Sequence, residues 1–385
     1  MWQAAMEDAM KKTKRNGEKH GLQFPHIRRH AEGKCYEWRE STDWIEGFYT
    51  GMMWLSYEYS GDKAFREMAQ AQVKDYRRRL DEDVALDHHD IGFLYSPSAM
   101  AAWMIEGDES AKRLALDAAD KLMKRWRPEG EYIQAWGPKG DAKNGGRIII
   151  DCLMNIPLLY WASEQTGDPK YREVAVKHAD KSRRYLVRGD DSSYHTFYFE
   201  PSTGIPIGGG THQGYHDGST WTRGQAWGIY GFALSYRYTG DKQYLETSRR
   251  LARYFVDRFP EDDVVYWDFN VEVNADTLRD SSASAIAACG MLELLEHLAE
   301  DDEDRAYFQD AVERSMRSLV TNYSTMGEPD AEGLIDHGSY HIRGDLGPDD
   351  YMIWGDYYYM EALMRLEKGV PGYWYERKEA KTGVK

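Results

Sequence analysis

Thr239-Gly240-Asp241-Lys242-Gln243-Tyr244 divides an apolar stretch from an amphipathic one by a glycine followed directly by an aspartate. Glycine adopts the left-handed backbone that closes a helix, and an aspartate carboxylate accepts from the free N–H groups that open the next. The dipeptide therefore reads as a tight connection between two helices. It recurs at Gly61-Asp62, Gly107-Asp108 and Gly167-Asp168, and a version without the glycine lies at Ala299-Glu300-Asp301-Asp302-Glu303. Intervals of roughly 45 to 75 residues fit repeated helical pairs joined by loops of unequal length.

The segments on either side of these turns differ in character. Those before them, 43–60, 90–106, 151–166, 223–239 and 280–299, are apolar, aromatic and rich in small residues, and 356–368 supplies a sixth. Those after them, such as the stretches opening at Lys63 and Ser110, carry charge on one face, and residues 1–16 supply the sixth of that kind. A helix apolar all round is buried on every side, whereas one with a single apolar stripe faces solvent on the other. The alternation predicts an all-α chain, an α6/α6 barrel of six inner and six outer helices, with residues 1–385 forming one catalytic domain. The inner helices then all begin at the same end. That end gathers Asp43-Trp44, His89-Asp90, Asp151, Thr222-Arg223 and Asp280-Ser281-Ser282 around one axis.

Short β-ribbons are expected at Tyr194–Phe199 and Val264–Phe269, where apolar and aromatic residues alternate. Gly208–Gly218, rich in glycine, reads as a loop overhanging the mouth of the barrel, and Gly137–Gly146 as a second loop leading into the helix of Asp151.

The net charge of −16 excludes a nucleic-acid surface, which needs clustered Lys and Arg, and an acidic polymer would need a local basic pocket. The three cysteines, Cys35, Cys152 and Cys289, are far apart and odd in number, which suits core thiols rather than disulfides or zinc. Residues 1–8 show no secretory leader and no apolar run approaches ~18 residues, so the expected address is the cytoplasm, without membrane contact, as a monomer or weak homo-oligomer. The 13 Trp and 28 Tyr suggest a cleft that stacks sugar rings, although core packing accounts for most of them.

In Gly145–Asn155 a single carboxylate, Asp151, follows three isoleucines. An Asp buried among apolar residues must be paired or keep its proton, which makes it a natural acid near neutrality. Asp90, in Asp87-His88-His89-Asp90, is a second carboxylate leading into an apolar helix. The alternative for both is helix capping. His88, His89, His195, His212 and His216 have no metal-ligand spacing, so neither metal nor cofactor is expected. Arg147 and Arg223 are the cations nearest the barrel mouth, with an acidic partner the favoured reading for Arg147. Trp44, Trp136, Trp221 and Trp227 are candidates for stacking on sugar.

Longer stretches carry a resemblance. Thr42-Asp43-Trp44, Leu86–Ser96, Gln134-Ala135-Trp136-Gly137, Gly146–Asp151, Asp190–His195, Gly210–Gly214, Trp221–Trp227 and Trp354–Tyr358 together make the chain resemble the unsaturated glucuronyl hydrolases of glycoside hydrolase family 88 along essentially its whole length. The resemblance implies an α6/α6 barrel acting on an oligosaccharide whose non-reducing end is a Δ4,5-unsaturated uronic acid. It implies that Asp151 protonates C4 of the enol ether, that water adds at C5, and that the hemiketal collapses to release the aglycone. Asp90 is implied as the assisting carboxylate, with Trp44, Trp136, His195, Gln213, Arg223, Trp227 and Tyr340 in the substrate pocket. His89, His212 and Trp221, which stand in the matching stretches, complete the candidate set. Because C5 rather than the anomeric carbon is attacked, carboxylate spacing carries no stereochemical forecast. A sister activity on unsaturated rhamnogalacturonan fragments, an inverting glycosidase on saturated sugars and a non-catalytic saccharide-binding protein are the alternatives. The tail Gly372–Lys378 is a candidate contributor to aglycone choice. Apolar neighbours and Asp90 should outweigh the helix terminus at Asp151 and give a mildly acidic optimum.

Overall fold

The computed structural model describes residues 1–28 and 33–377, and an α6/α6 barrel organises them. In chain order, outer helix α1 (Trp2–His20) precedes a β1/β2 ribbon (Phe24–Arg28 with Tyr36–Arg39), and then inner and outer helices alternate. The pairs are α2 (Glu46–Ser60) with α3 (Lys63–Asp81), and α4 (Ile91–Tyr95), continued through a π-turn into α5 (Ala101–Glu106), with α6 (Glu109–Met123). A small ribbon, β3 (Trp126–Arg127) with β4 (Tyr132–Ile133), and strand β5 (Arg147–Ile149) lead to α7 (Pro157–Thr166) with α8 (Pro169–Tyr185). Strands β6 (Thr196–Phe199) and β7 (Pro206–Gly210) precede α9 (Thr222–Thr239) with α10 (Lys242–Val256), then α11 (Ser281–Leu295) with α12 (Glu303–Ser318), and α13 (Ile353–Lys368) closes the ring against α1.

The Gly-Asp turns have the expected chemistry. Gly61, Gly107, Gly167 and Gly240 all sit in the left-handed region at the ends of inner helices. Asp62, Asp108, Asp168, Asp241 and Asp302 each accept a hydrogen bond from the second residue of the following outer helix. A substitution of such a cap costs about 1 kcal/mol. In α9 every residue from Thr222 to Ser235 is buried. Glycine permits the tight inner ring: a Cβ on Gly231 would lie 2.4 Å from Leu153 Cβ, and one on Gly92 2.4 Å from Asn155 Cα.

Three expectations change. Asp151 is not the first residue of the third inner α-helix but lies in a 3₁₀ turn, Ile150–Met154, with the α-helix beginning at Pro157. Proline has no N–H to give the preceding turn, so it fits the first position of a helix and not its interior. Gly208–Gly210 is not loop: it forms edge strand β7, antiparallel to β6, which also pairs with β5. Glycine is required there because the Tyr194 ring lies flat against Gly209, about 2.5 Å from where a Cβ would stand. Val264–Phe269 is no ribbon and makes only isolated bridges, Trp221 with Asp268 and Tyr266 with Arg279.

The tail enters from the end opposite the mouth, against the C-terminal ends of the inner helices, and Trp374 reaches inward to Phe93, which in turn packs on Trp44. Trp374 stacks parallel on Tyr358, and Glu376 accepts from the indoles of Trp103 and Trp161. Lys378 lies outside the described residues. No helix among them is long and apolar enough to cross a membrane.

Candidate active site

A cavity of about 400 Å³ opens where the inner helices begin. Its wall includes Asp90 and Asp151 together with Trp44, His89, Trp136, His195, His212, Gln213 and Tyr340. Residues from across the chain thus meet at one mouth. A larger hollow, about 840 Å³, lies at the opposite end around Arg237, Glu296 and Arg365, whose charges already pair with one another and with Glu293.

The first wall is set by an ion pair beneath it. Glu46 accepts from the backbone N–H groups of Thr42 and Asp43 with one carboxylate oxygen and from Arg79 Nη1 with the other. Arg79, on α3 and fully buried, also donates to the carbonyls of Val84 and Ala85. One guanidinium therefore ties the loop of Asp43 and Trp44 to the loop leading to Asp90. Trp44 donates from its indole to the Tyr340 hydroxyl at 2.9 Å. Asp43, a further carboxylate in the wall, accepts from His26.

The second wall begins with β5. The ladder to β6 ends with Ile150 N–H donating to the His195 carbonyl, and the chain then turns into the 3₁₀ segment that presents Asp151. His195 stands opposite, its Nε2 4.0 Å from Asp151 Oδ2. Its Nδ1 accepts the backbone N–H groups of His212 and Gln213, so the ring proton resides on Nε2. Burial, with the neighbouring charges of His212, Arg147 and Arg223, holds His195 far below the ordinary histidine range, and it stays neutral.

The two carboxylates titrate apart. Burial, then the charge of Asp90, raises Asp151 to about 7, against the opposing pull of Arg223 and the Trp227 indole. Burial also works against the charged form of Asp90, but His89, His88 and Arg125 outweigh it and hold the group below the usual carboxylate range. An acid that keeps its proton near neutrality therefore faces a carboxylate that does not. Environments that separate two such groups mark an acid and its anionic assistant.

Not every expected residue faces the cavity. Trp221 packs beneath His195 with ring centroids 4.2 Å apart, and Trp227 packs on Phe93 at 5.0 Å. Both are buried supports rather than stacking surfaces, which leaves Trp44 and Trp136 in the wall. Arg223 lies one layer back, bonded to the Gln213 side chain and the Ser339 and Tyr340 carbonyls and 3.7 Å from Asp280. The acidic partner expected for Arg147 is not found among the described residues: its guanidinium lies over the Trp136 ring at 4.6 Å and bonds to Tyr198 and Asn144. Sequence reasoning missed His341 and Leu346, which the loop before α13 brings to the wall, and the Glu46–Arg79 pair, formed across the α2–α3 hairpin. Among the described residues no group of three or more His, Cys, Asp or Glu side chains is placed to hold a metal ion.

The sequence profile described as Glycosyl Hydrolase Family 88 matches residues 23–371. The unsaturated glucuronyl hydrolase of Bacillus sp. (strain GL1) is 61% identical over 378 residues, covering 98% of this chain and 100% of that protein. The unsaturated chondroitin disaccharide hydrolase of Streptococcus agalactiae serotype III (strain NEM316) is 45% identical over 370 residues, covering 96% of this chain and 92% of that protein. The crystal structure of the unsaturated glucuronyl hydrolase from Bacillus sp. GL1, described as responsible for the degradation of glycosaminoglycan, superposes with a TM-score of 0.96 at 60% identity, covering 98% of this chain and 100% of that one.

Proposed function

The chain belongs to glycosyl hydrolase family 88, and from that premise we propose that Asp151 and Asp90 are the acid and the assisting carboxylate with which it removes the unsaturated uronic acid from glycosaminoglycan oligosaccharides. The activity itself follows the family and its close relatives: a glycoside hydrolase acting on the non-reducing terminal unsaturated glucuronyl residue. The roles of the residues rest on one observation, the protonated Asp151 beside the ionised Asp90 in a cavity walled by Trp44 and Trp136.

The substrate's C4=C5 double bond is an enol ether, nucleophilic at C4. Asp151 gives its proton to C4, and the positive charge that develops at C5 is shared with the ring oxygen. Water adds at C5, losing a proton to the Asp151 carboxylate, which restores the acid. The C5 hemiketal then opens to a ketone, and the hemiacetal left at C1 releases the aglycone as an alcohol. Neutral His195 serves as a donor from Nε2 and never as the base, because its Nδ1 is committed to two backbone N–H groups. Trp44 and Trp136 offer ring faces to the sugar, and Asp90 accepts from its hydroxyls and from the water. The toroid acts as one catalytic unit.

Activity requires Asp151 protonated and Asp90 ionised. It therefore falls as pH rises through about 7 and falls again as Asp90 takes up a proton, leaving a mildly acidic optimum. Unsaturated chondroitin, hyaluronan and heparin disaccharides are followed by the ultraviolet absorbance of the conjugated double bond. The absorbance should decay with at least one of them, faster at pH 6 than at pH 8.5. Constant absorbance with all three, or a clearly alkaline optimum, contradicts the assignment.

A further inference from the structure

Asn155 closes the 3₁₀ turn that presents Asp151 and is completely buried. Its side chain touches three groups. Oδ1 accepts the Phe93 backbone N–H at 2.7 Å, and Nδ2 donates to the Asp151 carbonyl at 3.1 Å and to Asp90 Oδ1 at 3.4 Å. The Phe93 N–H can meet only an oxygen, so the amide has one orientation and its nitrogen must face both aspartates. The segments that it joins are pressed together where Gly92 lies against the Asn155 backbone, with no room for a Cβ.

The other neighbours of Asp90 leave this contact a distinct task. His88 Nδ1 lies 3.4 Å from Asp90 Oδ2, but it already accepts the Asp90 backbone N–H while its Nε2 donates to the Ala85 carbonyl. Both ring nitrogens of His88 are thus already engaged by the backbone. His89 Nε2 lies 3.3 Å from Oδ1, the same oxygen that Asn155 reaches. The remaining charges and acids facing the two carboxyl groups are Arg125, Cys152, Tyr340, Arg223, His195 and Tyr358. Among the described residues Asn155 alone bonds to both aspartates, to the side chain of one and the backbone of the other.

We propose that Asn155 is a positioning residue for the proton transfer: its carboxamide clamps the segment of Asp90 to that of Asp151 and adds its N–H to the groups that favour the Asp90 carboxylate beside the acid. The inference rests on the roles given above to Asp151 and Asp90. A scaffold residue would change stability when replaced and leave the ionisation of the pair alone. Asn155 acts on the ionisation, because loss of a hydrogen bond to the charged form makes that form harder to reach.

Asn155→Asp keeps an acceptor for Phe93 and removes the donor, and Asn155→Ser removes the reach to Asp90 without adding charge. The expected result in both is an acid limb of kcat/KM displaced upward by about half to one pH unit, with kcat down about tenfold and KM within about threefold. Near-UV circular dichroism and Tm report whether each variant folds. An acid limb that superimposes on that of the wild type in a folded variant, or failure of both variants to fold, makes Asn155 scaffold and overturns the inference. The wild type run alongside separates the two levels: its turnover upholds the assigned reaction even if the limb does not move, and its inactivity removes the reaction itself.

Discussion

Asp151→Asn should lower kcat/KM on an unsaturated uronyl disaccharide by about 10³-fold, within the range that a positioned general acid contributes, while making the protein more stable near neutral pH. The two effects have one cause. In the unfolded chain an aspartate releases its proton near 3.8, whereas burial and Asp90 hold the Asp151 proton to about 7 in the fold. Between those values the folded state binds more protons than the unfolded one, so stability falls as pH rises through the window. Asparagine has no proton to defend and removes the loss, which should amount to ~4 kcal/mol at pH 7 and vanish below pH 4. Melting curves from pH 4 to 7 check this: the Tm difference should widen with pH in favour of the variant. An inactive variant that is also less stable at pH 7 would make Asp151 a structural anchor instead.

Asp90→Asn should cost about 10² to 10³ in kcat/KM and change the shape of the pH profile as well as its height. Burial is the main reason that Asp151 keeps its proton, and the Asp90 charge is the second. Removing that charge lets Asp151 ionise more readily, so the alkaline limb of the residual activity should move down from about 7. The acid limb, which reports Asp90, should disappear over the same range. Profiles with a chromogenic or ultraviolet-absorbing substrate decide the point. An alkaline limb that stays in place would mean that the two carboxyl groups do not feel each other.

Much of the barrel was legible because its punctuation is local. A glycine that ends one helix and an aspartate that opens the next act within a few residues, and all four Gly-Asp turns formed as read. The convergence of Asp90, Asp151, Arg223 and Asp280 followed from which ends of the inner helices face the same way. What was not legible depends on partners distant in sequence. Gly208–Gly210 pairs with β6 and leaves room at Gly209 for the Tyr194 ring, although glycine strings ordinarily read as loop. Trp221 and Trp227 look the same in sequence as Trp44 and Trp136, and only the depth of the ring separates supports from wall. Arg147, expected to find a carboxylate, instead lies against aromatic rings. Asn155 ended the very stretch that drew attention to Asp151, but its bond to Asp90 spans 65 positions.

The helix N-terminus expected beneath Asp151 is a 3₁₀ turn of five residues, with the α-helix starting three positions beyond it. So short a turn sums few peptide dipoles, and the force opposing proton retention is weaker than a full inner helix would supply. Burial and Asp90, the two influences expected to keep the proton on Asp151, are the ones that raise it, against a weaker opposing dipole.

Delivery of a proton to C4 and of water to C5 leaves an isotopic mark when the wild type acts in deuterium oxide on an unsaturated disaccharide and the early product is read by nuclear magnetic resonance. The expected product carries one deuterium at a single C4 position, with the double-bond absorbance lost in step with release of the aglycone. Release of the aglycone with no deuterium at C4 and the double bond intact would contradict that delivery.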